Sequence, residues 1–320
     1  MDEATALAPY RRWRLRAAAV PGVAYMLAAL VLVFTIFAAG FASAANLVNI
    51  GVQSAILLLL ALPMTLIIMS EGLDLSIGAV LGLAGVVLAM VLVKGGGVTL
   101  GFAAALMVGF AFGVANGVLV AVLGMPPFVA TLGTLGIAQS LALVATDGQS
   151  VVGIGDALPA LYNSAWLSVP FSIVVALLAY LAFHVLLYHT RFGAYVFAIG
   201  GNREALRLAG ARTRLHHVAI YALGGLMAGV GALLLTGRMN AGHPIAAIGM
   251  EFDAIAAVIV GGTSFERGNG WLPGTLLGVL SLGVLKNGLN LLAVPSSLQV
   301  VSIGLLVIVA LLIDSLRGRA

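Results

Sequence analysis

Few side chains in this sequence combine the types and spacing that bond-making chemistry needs. His184 and His189 miss the i, i+4 spacing of a helical metal pair, and no His-Glu-x-x-His occurs. No Asp-Asp-x-x-Asp, elbow serine or other convergent nucleophile, metal or acid/base set is present. Asp147 and Asp156 fall in a long loop, Thr146 to Pro170, where solvation accounts for them. Both lysines, Lys94 and Lys286, are followed by Gly95 and Asn287, so no Gly-x-x-x-x-Gly-Lys-Ser/Thr phosphate loop exists. The reading is a chain with no catalytic residue, no metal site and no bound cofactor. ATP-driven work would need a motor in another polypeptide.

What remains is the polar chemistry of capping, gating and docking. Asp74 or Ser76 fits the cap of a helix, and a gate on a solute path is the other role open to Asp74, with Glu71 just before it. Glu251 and Asp253 stand in the same relation to a later apolar segment, at its outer boundary. Asn116, Gln139, Asn287 and Asn290 are amides inside apolar runs, where such groups either tie helices together or line a path. The candidate path or gate set is therefore Asp74, Asn116, Gln139, Asp253, Asn287 and Asn290. Lys286 is expected to snorkel outward.

The densest polar segment is an island from His189 to His217. Within it, Asn202 is placed to cap a short helix, Glu204 suits the first turn, and Gly210 suits the position just past the end. The expected helix has about two turns, too few to be stable alone in water. Arg203 and Arg207 share one face, and Ala205, Leu206 and Ala209 supply a small apolar surface. Such a helix can rest in a groove of a cytoplasmic protein. An inside loop kept basic only for orientation would look similar.

The elements that position these residues are apolar. Hydrophobic residues make up 62% of the chain and charged ones 8%, against about 25% charged in soluble domains. The expected fold is all-α, a polytopic membrane protein of about ten transmembrane helices. The spans fall near 19–40, 50–69, 76–93, 99–123, 128–146, 169–188, 217–237, 252–264, 271–292 and 297–314. The stretch 252–264, interrupted by Gly261-Gly262, is short enough to suggest a broken or re-entrant helix beside a cavity. Glycine, with 41 residues, lets helices approach closely, as at Gly78, Gly82 and Gly85 or Gly225, Gly229 and Gly231. Cysteine is absent, which excludes disulfides and thiolate sites.

Charge sets orientation. With the N-terminus inside, the inner side receives Arg11, Arg12, Arg14, Arg16, Arg191, Arg203, Arg207, Arg212, Arg214, Arg267, Arg317 and Arg319. The outer side receives only Lys94 and Arg238, with Lys286 near an outer end. Both termini are then cytoplasmic. A tail over 1–18 leads into one membrane domain over 19–320, with a loop at 189–217 and a short tail at 315–320. The apolar stretch Val20 to Gly40 exceeds a signal-peptide core and is read as a retained span. The pI of about 9.7 reflects these loops and not a nucleic-acid surface.

An internal echo links the halves. Leu73 to Gly78 resembles Phe252 to Ala256, and Asn116-Gly117 resembles Asn287-Gly288. The partners lie five spans apart, an offset that reverses orientation and predicts inverted repeats.

The sequence also resembles a known family, the permease subunits of bacterial ABC importers for simple sugars, of the ribose type. The resemblance runs from about Leu47 to Asp314. It rests on Glu71 to Gly78, Pro126 to Gly133, Thr146-Asp147-Gly148, Thr190 to Gly193, Ala198 to Asn202, Leu208-Ala209-Gly210, Phe252 to Ala257, Gly261 to Ser264 and Asn287 to Leu292, in fixed order. It implies a permease homodimer in the cell inner membrane and a cytoplasmic ATPase that binds ATP and Mg. It further implies a periplasmic or lipid-tethered sugar-binding protein. The ATPase-coupling loop would be Gly200, Gly201, Asn202, Arg203, Glu204, Ala205, Leu206, Arg207 and Gly210. The cargo would be a monosaccharide or another sugar-like solute, such as a polyol, nucleoside or signalling furanose. An ATP-independent secondary transporter is the competing class; it would want a membrane-centred acid, whereas the acids here are expected at span ends. The chain departs from the family at Glu71, where Gly is usual, at Lys286, where Asn is usual, and at Gln139, where Arg is usual. Phe265 to Gly270 also replaces a pattern richer in Gly and Ser.

Overall fold

The structure is a computed structural model that describes residues 22–264 and 268–317. The expected N-terminal tail with its four arginines, Arg267 and Arg319 lie outside the described residues. The helices are α1 (Gly22–Phe37), α2 (Ala44–Met69), α3 (Ile77–Val93), α4 (Val98–Ala121), α5 (Pro127–Thr146), α6 (Ala157–Tyr162), α7 (Phe171–His189), α8 (Arg191–Leu208), α9 (Thr213–Met239), α10 (Met250–Val260), α11 (Leu272–Leu291) and α12 (Ser296–Arg317). The only sheet among the described residues is a two-residue pair, β1 (Ala165–Trp166) with β2 (Val169–Pro170). Helices α2, α4, α5, α7, α9 and α11 are long and apolar enough to cross a membrane; α1, α3 and the first part of α12 are apolar but shorter. The chain is an all-α polytopic membrane protein. The loop between α5 and α7 is more structured than expected, because α6 and the β1–β2 hairpin occupy it.

Helix α2 is the centre. Every residue from Ser54 to Met69 is buried, as befits a helix that is hydrophobic all round. Helix α3 is buried over most of its length, while α4, α5 and α7 expose large apolar residues such as Met107, Val144 and Leu178 outward. Hydrogen bonds between side chains reinforce the centre: Thr65 Oγ1 and Thr275 Oγ1 are 2.7 Å apart, and Asn46 and Asn287 exchange two amide bonds of 2.9 Å.

Glycine permits the closest contact. Gly109, Gly113 and Gly117, at four-residue spacing on α4, lie against the backbone of α9 at Gly225, Tyr221–Ala222 and Val218. A Cβ on Gly109 or Gly225 would collide with the other's carbonyl oxygen. The glycines of α3 serve a different purpose from the helix–helix packing expected. Gly78 faces Ala247 and Glu251, Gly82 faces Pro244, and Gly85 faces Thr236, so they seat mainly a non-helical segment, 240–249, that descends along α3. Helix α10 therefore begins beside the start of α3, deep in the bundle. This corrects the expected outer-boundary position of Glu251 and explains the shortness of α10.

Packing partners recur between the halves. Helix α9 packs on α3 and α4 as α2 packs on α10 and α11; α3 packs on α4 and α5 as α10 packs on α11 and α12.

The end of α2 shows a further backbone constraint. Glu71 N–H donates to Ile68 O and Gly72 N–H to Ile67 O, the paired bonds of a Schellman cap, and Glu71 sits in the left-handed region at φ 61°. That is the position where glycine is favoured.

Two predictions follow from this packing. Gly225→Ala will lower stability in detergent by about 3 kcal/mol or more through the α4–α9 collision, whereas Gly133→Ala, which meets open space, will not. Equal thermal midpoints for the two variants would refute the close-packing account. Glu71→Gly will raise stability by about 1 kcal/mol by relieving the left-handed strain, and Glu71→Ala will show no such gain.

Candidate functional site

The polar island folds as one long helical stretch with a break. Helix α8 starts at Thr190, whose Oγ1 accepts Gly193 N–H at 3.4 Å, and runs earlier than expected, through Arg191 to Gly201. Gly200 then presses against the Met69 carbonyl, at the end of α2, and against Gly268. At Asn202 the backbone is extended, φ −165° and ψ 91°, and its Oδ1 accepts Ala205 N–H at 2.9 Å. Asn202 thus caps a second, short helix, 203–208. That helix ends in a Schellman motif: Gly210 N–H donates to Arg207 O, Ala211 N–H to Leu206 O, and Gly210 has φ +85°.

The two arginines of this tip do different things. Arg207 holds Glu204 in a fork, with bonds of 3.0 and 2.6 Å, and both side chains are exposed. Hydrogen bonding to that guanidinium holds the Glu204 carboxyl below the ordinary glutamate range. Arg203 is half-buried and lines a cleft of about 260 Å³ with Ser70, Glu71, Met125, Pro126 and His217. Gly201, Ala205 and Arg207 are exposed, and Leu206 is half-buried.

Of the path candidates, the structure brings Asp74 and Asn116 together. Asp74 is buried; its Oδ1 accepts Ser76 N–H at 2.8 Å and Ser76 Oγ–H at 2.7 Å, with Asn116 Nδ2 at 3.5 Å. Asn116 Nδ2 also donates to Ser76 Oγ at 2.8 Å, and its Oδ1 accepts Thr134 Oγ1–H at 2.7 Å. Thr131 and Tyr221 both donate to Leu73 O, at 3.3 and 3.2 Å. One network therefore ties the α2–α3 loop to α4, α5 and α9, and Asp74 caps the approach to α3 in passing.

The other candidates are scattered. Gln139 Nε2 donates to Pro244 O at 3.0 Å, joining α5 to the descending segment. Asn287 is buried in its exchange with Asn46. Asn290 is exposed at the end of α11 and accepts from Gln299 Nε2 at 2.8 Å. Asp253 receives Lys286 Nζ at 2.5 Å, so Lys286 turns inward to a partner instead of snorkelling out.

Two residues that the sequence pointed to as a boundary acid and a snorkelling lysine take other positions in the structure. Glu251 is buried, its Oε1 accepting Gly249 N–H at 3.1 Å and its Oε2 facing Gly78. The signal for it was Gly78, the first of three glycines on α3. Lys286 was visible as a lone lysine in an apolar run, but its partner was 33 residues away.

Residues 46–311 match the family model described as branched-chain amino acid transport system, permease component. The chain is 38% identical over 287 residues to the ribose import permease protein RbsC of Bacillus subtilis (strain 168), covering 89% of each chain. It is 33% identical over 300 residues to the D-allose transport system permease protein AlsC of Escherichia coli (strain K12), covering 93% of this chain and 92% of the relative. It is 32% identical over 299 residues to the L-arabinose transport system permease protein AraH of Escherichia coli (strain K12), covering 93% and 91%. No solved structure matches the chain. A family match through most of an all-α membrane bundle, joined by these full-length relatives, means that this chain belongs to the branched-chain amino acid transport system permease-component family.

Proposed function

We infer that the chain is the membrane permease of an ATP-driven importer for a monosaccharide. The observation that carries this reading is the agreement of the three relatives, each named for one simple sugar, over 89–93% of the chain. Their names favour a sugar over the amino acids in the broader family description. A polyol, a nucleoside or a signalling furanose would be carried by the same architecture.

The reading assigns the chain two copies per transporter, in the inner membrane, with both termini cytoplasmic. Ten crossings result when α1, α3, α10 and α12 are counted with the six long helices. The recurring packing partners and the two acid-bearing helix starts support an inverted repeat with the path between its halves. A cytoplasmic ATPase, which binds ATP and Mg, docks on the tip 203–208. A periplasmic or lipid-tethered binding protein docks on the opposite loops and supplies the solute. ATP-driven closure of the ATPase pair displaces the tip, and the two states then differ in which side the path opens to. Asp74, Asn116, Gln139 and Asn287 hold the framework of that path; Asp253 and Asn290 face it.

Two experiments test this. In the importer reconstituted with its ATPase and binding protein, Arg203→Glu with Arg207→Glu will lower solute uptake about tenfold or more, while the variant inserts normally and the ATPase still hydrolyses. Wild-type uptake by the double variant would remove the docking role. The second experiment addresses the secondary-transporter reading, which the burial of Asp74 and Glu251 favours over the expectation from sequence. The chain alone in ATP-free liposomes under a proton gradient will show no uptake of D-ribose, D-allose or L-arabinose. Uptake there would overturn the importer reading.

A further inference from the structure

The ion pair between Asp253 and Lys286 lies at an unusual depth. On the α10–α11 contact, Ala257 stands opposite Gly278 and Gly261 opposite Gly274. One more turn of the same antiparallel register sets Asp253 opposite Leu282, at the midpoint of α11 (Leu272–Leu291). Helical side chains lean toward the N-terminus of their helix, so Lys286 reaches back toward that level. The 2.5 Å contact confirms that it does. The charges therefore meet near the middle of the bundle's thickness.

Yet the pair is not sealed inside the protomer. The Lys286 side chain is 35% exposed and that of Asp253 18%. One turn further along α11, Asn290 is exposed as well. Ionised groups at the middle of a bilayer are costly and almost always face a bundle interior or a water-filled cavity. A lipid-facing position would be served by Leu without that cost.

We propose that the face of α10 and α11 bearing Asp253, Lys286 and Asn290 lines a water-filled lumen, and that the Asp253–Lys286 pair is a specificity-determining constriction for neutral, polyhydroxylated solutes. The proposal rests on the permease reading above and adds the chemistry of selection within the path. The ammonium donates to a solute hydroxyl and the carboxylate accepts from one, so adjacent hydroxyls replace each charge's partner in turn. The pair is neutral overall, so it presents no net charge that would hold a cation or an anion. An apolar solute would leave both charges unpaired.

The chain has no native cysteine, so single thiols report cleanly. Asn290→Cys, which leaves the pair intact, and Lys286→Cys are compared with Leu177→Cys on the exposed apolar face of α7. The probe is a charged, water-soluble methanethiosulfonate, applied to the full importer in liposomes. Both path-side thiols will react at least about tenfold faster than the α7 thiol, and loaded binding protein will slow them. D-Ribose uptake will fall about tenfold in Lys286→Met, which strands a carboxylate, while stimulation of ATP hydrolysis by the loaded binding protein persists. Thiols at 286 and 290 that react no faster than the α7 thiol would overturn the lumen. Unchanged ribose uptake in Lys286→Met would overturn the constriction. Absence of ATP-coupled uptake in the unaltered importer would instead sink the permease reading itself.

Discussion

An irregular backbone inside an apolar bundle must have its hydrogen bonds met by the protein or by water in a cavity, since lipid offers none. The segment 240–249 is where this constraint bears hardest. Gly242 exchanges both backbone bonds with Val151 at 2.9 Å, His243 Nδ1 meets Ser150 Oγ, Pro244 O takes Gln139, and Gly249 N–H goes to Glu251. These partners come from three parts of the chain. The loop after α5, helix α5 itself and the start of α10 are thereby fixed relative to one another. Gly78 of α3 and Gly242 of the segment itself complete the arrangement, since a side chain at either would occupy the space the facing backbone needs.

The same constraint explains the polar residues near the opposite side of the bundle. The α2–α3 loop is also non-helical and largely buried, and Asp74, Ser76, Asn116, Thr131, Thr134 and Tyr221 supply its bonds. Two irregular segments thus enter the bundle, and the helices that follow them, α3 and α10, begin side by side. Their positive dipole ends carry Asp74 and Glu251, both buried. These helix starts and their carboxylates give the protein polar character within the bundle.

Sequence reading went far where the physics is local. Caps are local: Asn202 and Gly210 bracket a short helix as their types demand, because a side-chain oxygen and a left-handed φ act within one turn. The apolar runs located the helices for the same reason. Contacts distant in sequence were not legible. Gly109, Gly113 and Gly117 have the four-residue spacing of a helix interface, but nothing in the chain says that Gly225 lies opposite. Gly78, Gly82 and Gly85 have similar spacing and mostly face a loop instead. Asp253 looked like a boundary acid because hydropathy cannot distinguish a helix that starts at the surface from one that starts at mid-depth. Lys286 looked like a snorkelling residue because its carboxylate partner sits on another helix.

The construction of α8 fixes where a displacement of its tip would be felt. Gly200 admits no side chain, so α8 cannot slide past Met69 and Gly268 without backbone overlap. Immediately after this clamp comes the extended residue Asn202, which is joined to the next turn by only one side-chain bond. A rotation of 203–208 would therefore concentrate at Asn202 or be carried through Gly200 into the end of α2. Helix α2 is buried on every side from Ser54 to Met69 and is bonded to α11 through Thr65 and, near its other end, through Asn46. Close-packed interiors yield by moving between discrete arrangements and not by continuous deformation. A push that enters α2 would thus shift α11 with it, and α11 bears Lys286, the residue that meets Asp253 across to α10. A displacement of the exposed tip would in this way reach the mid-depth ion pair through the buried stretch Ser54 to Met69 of α2.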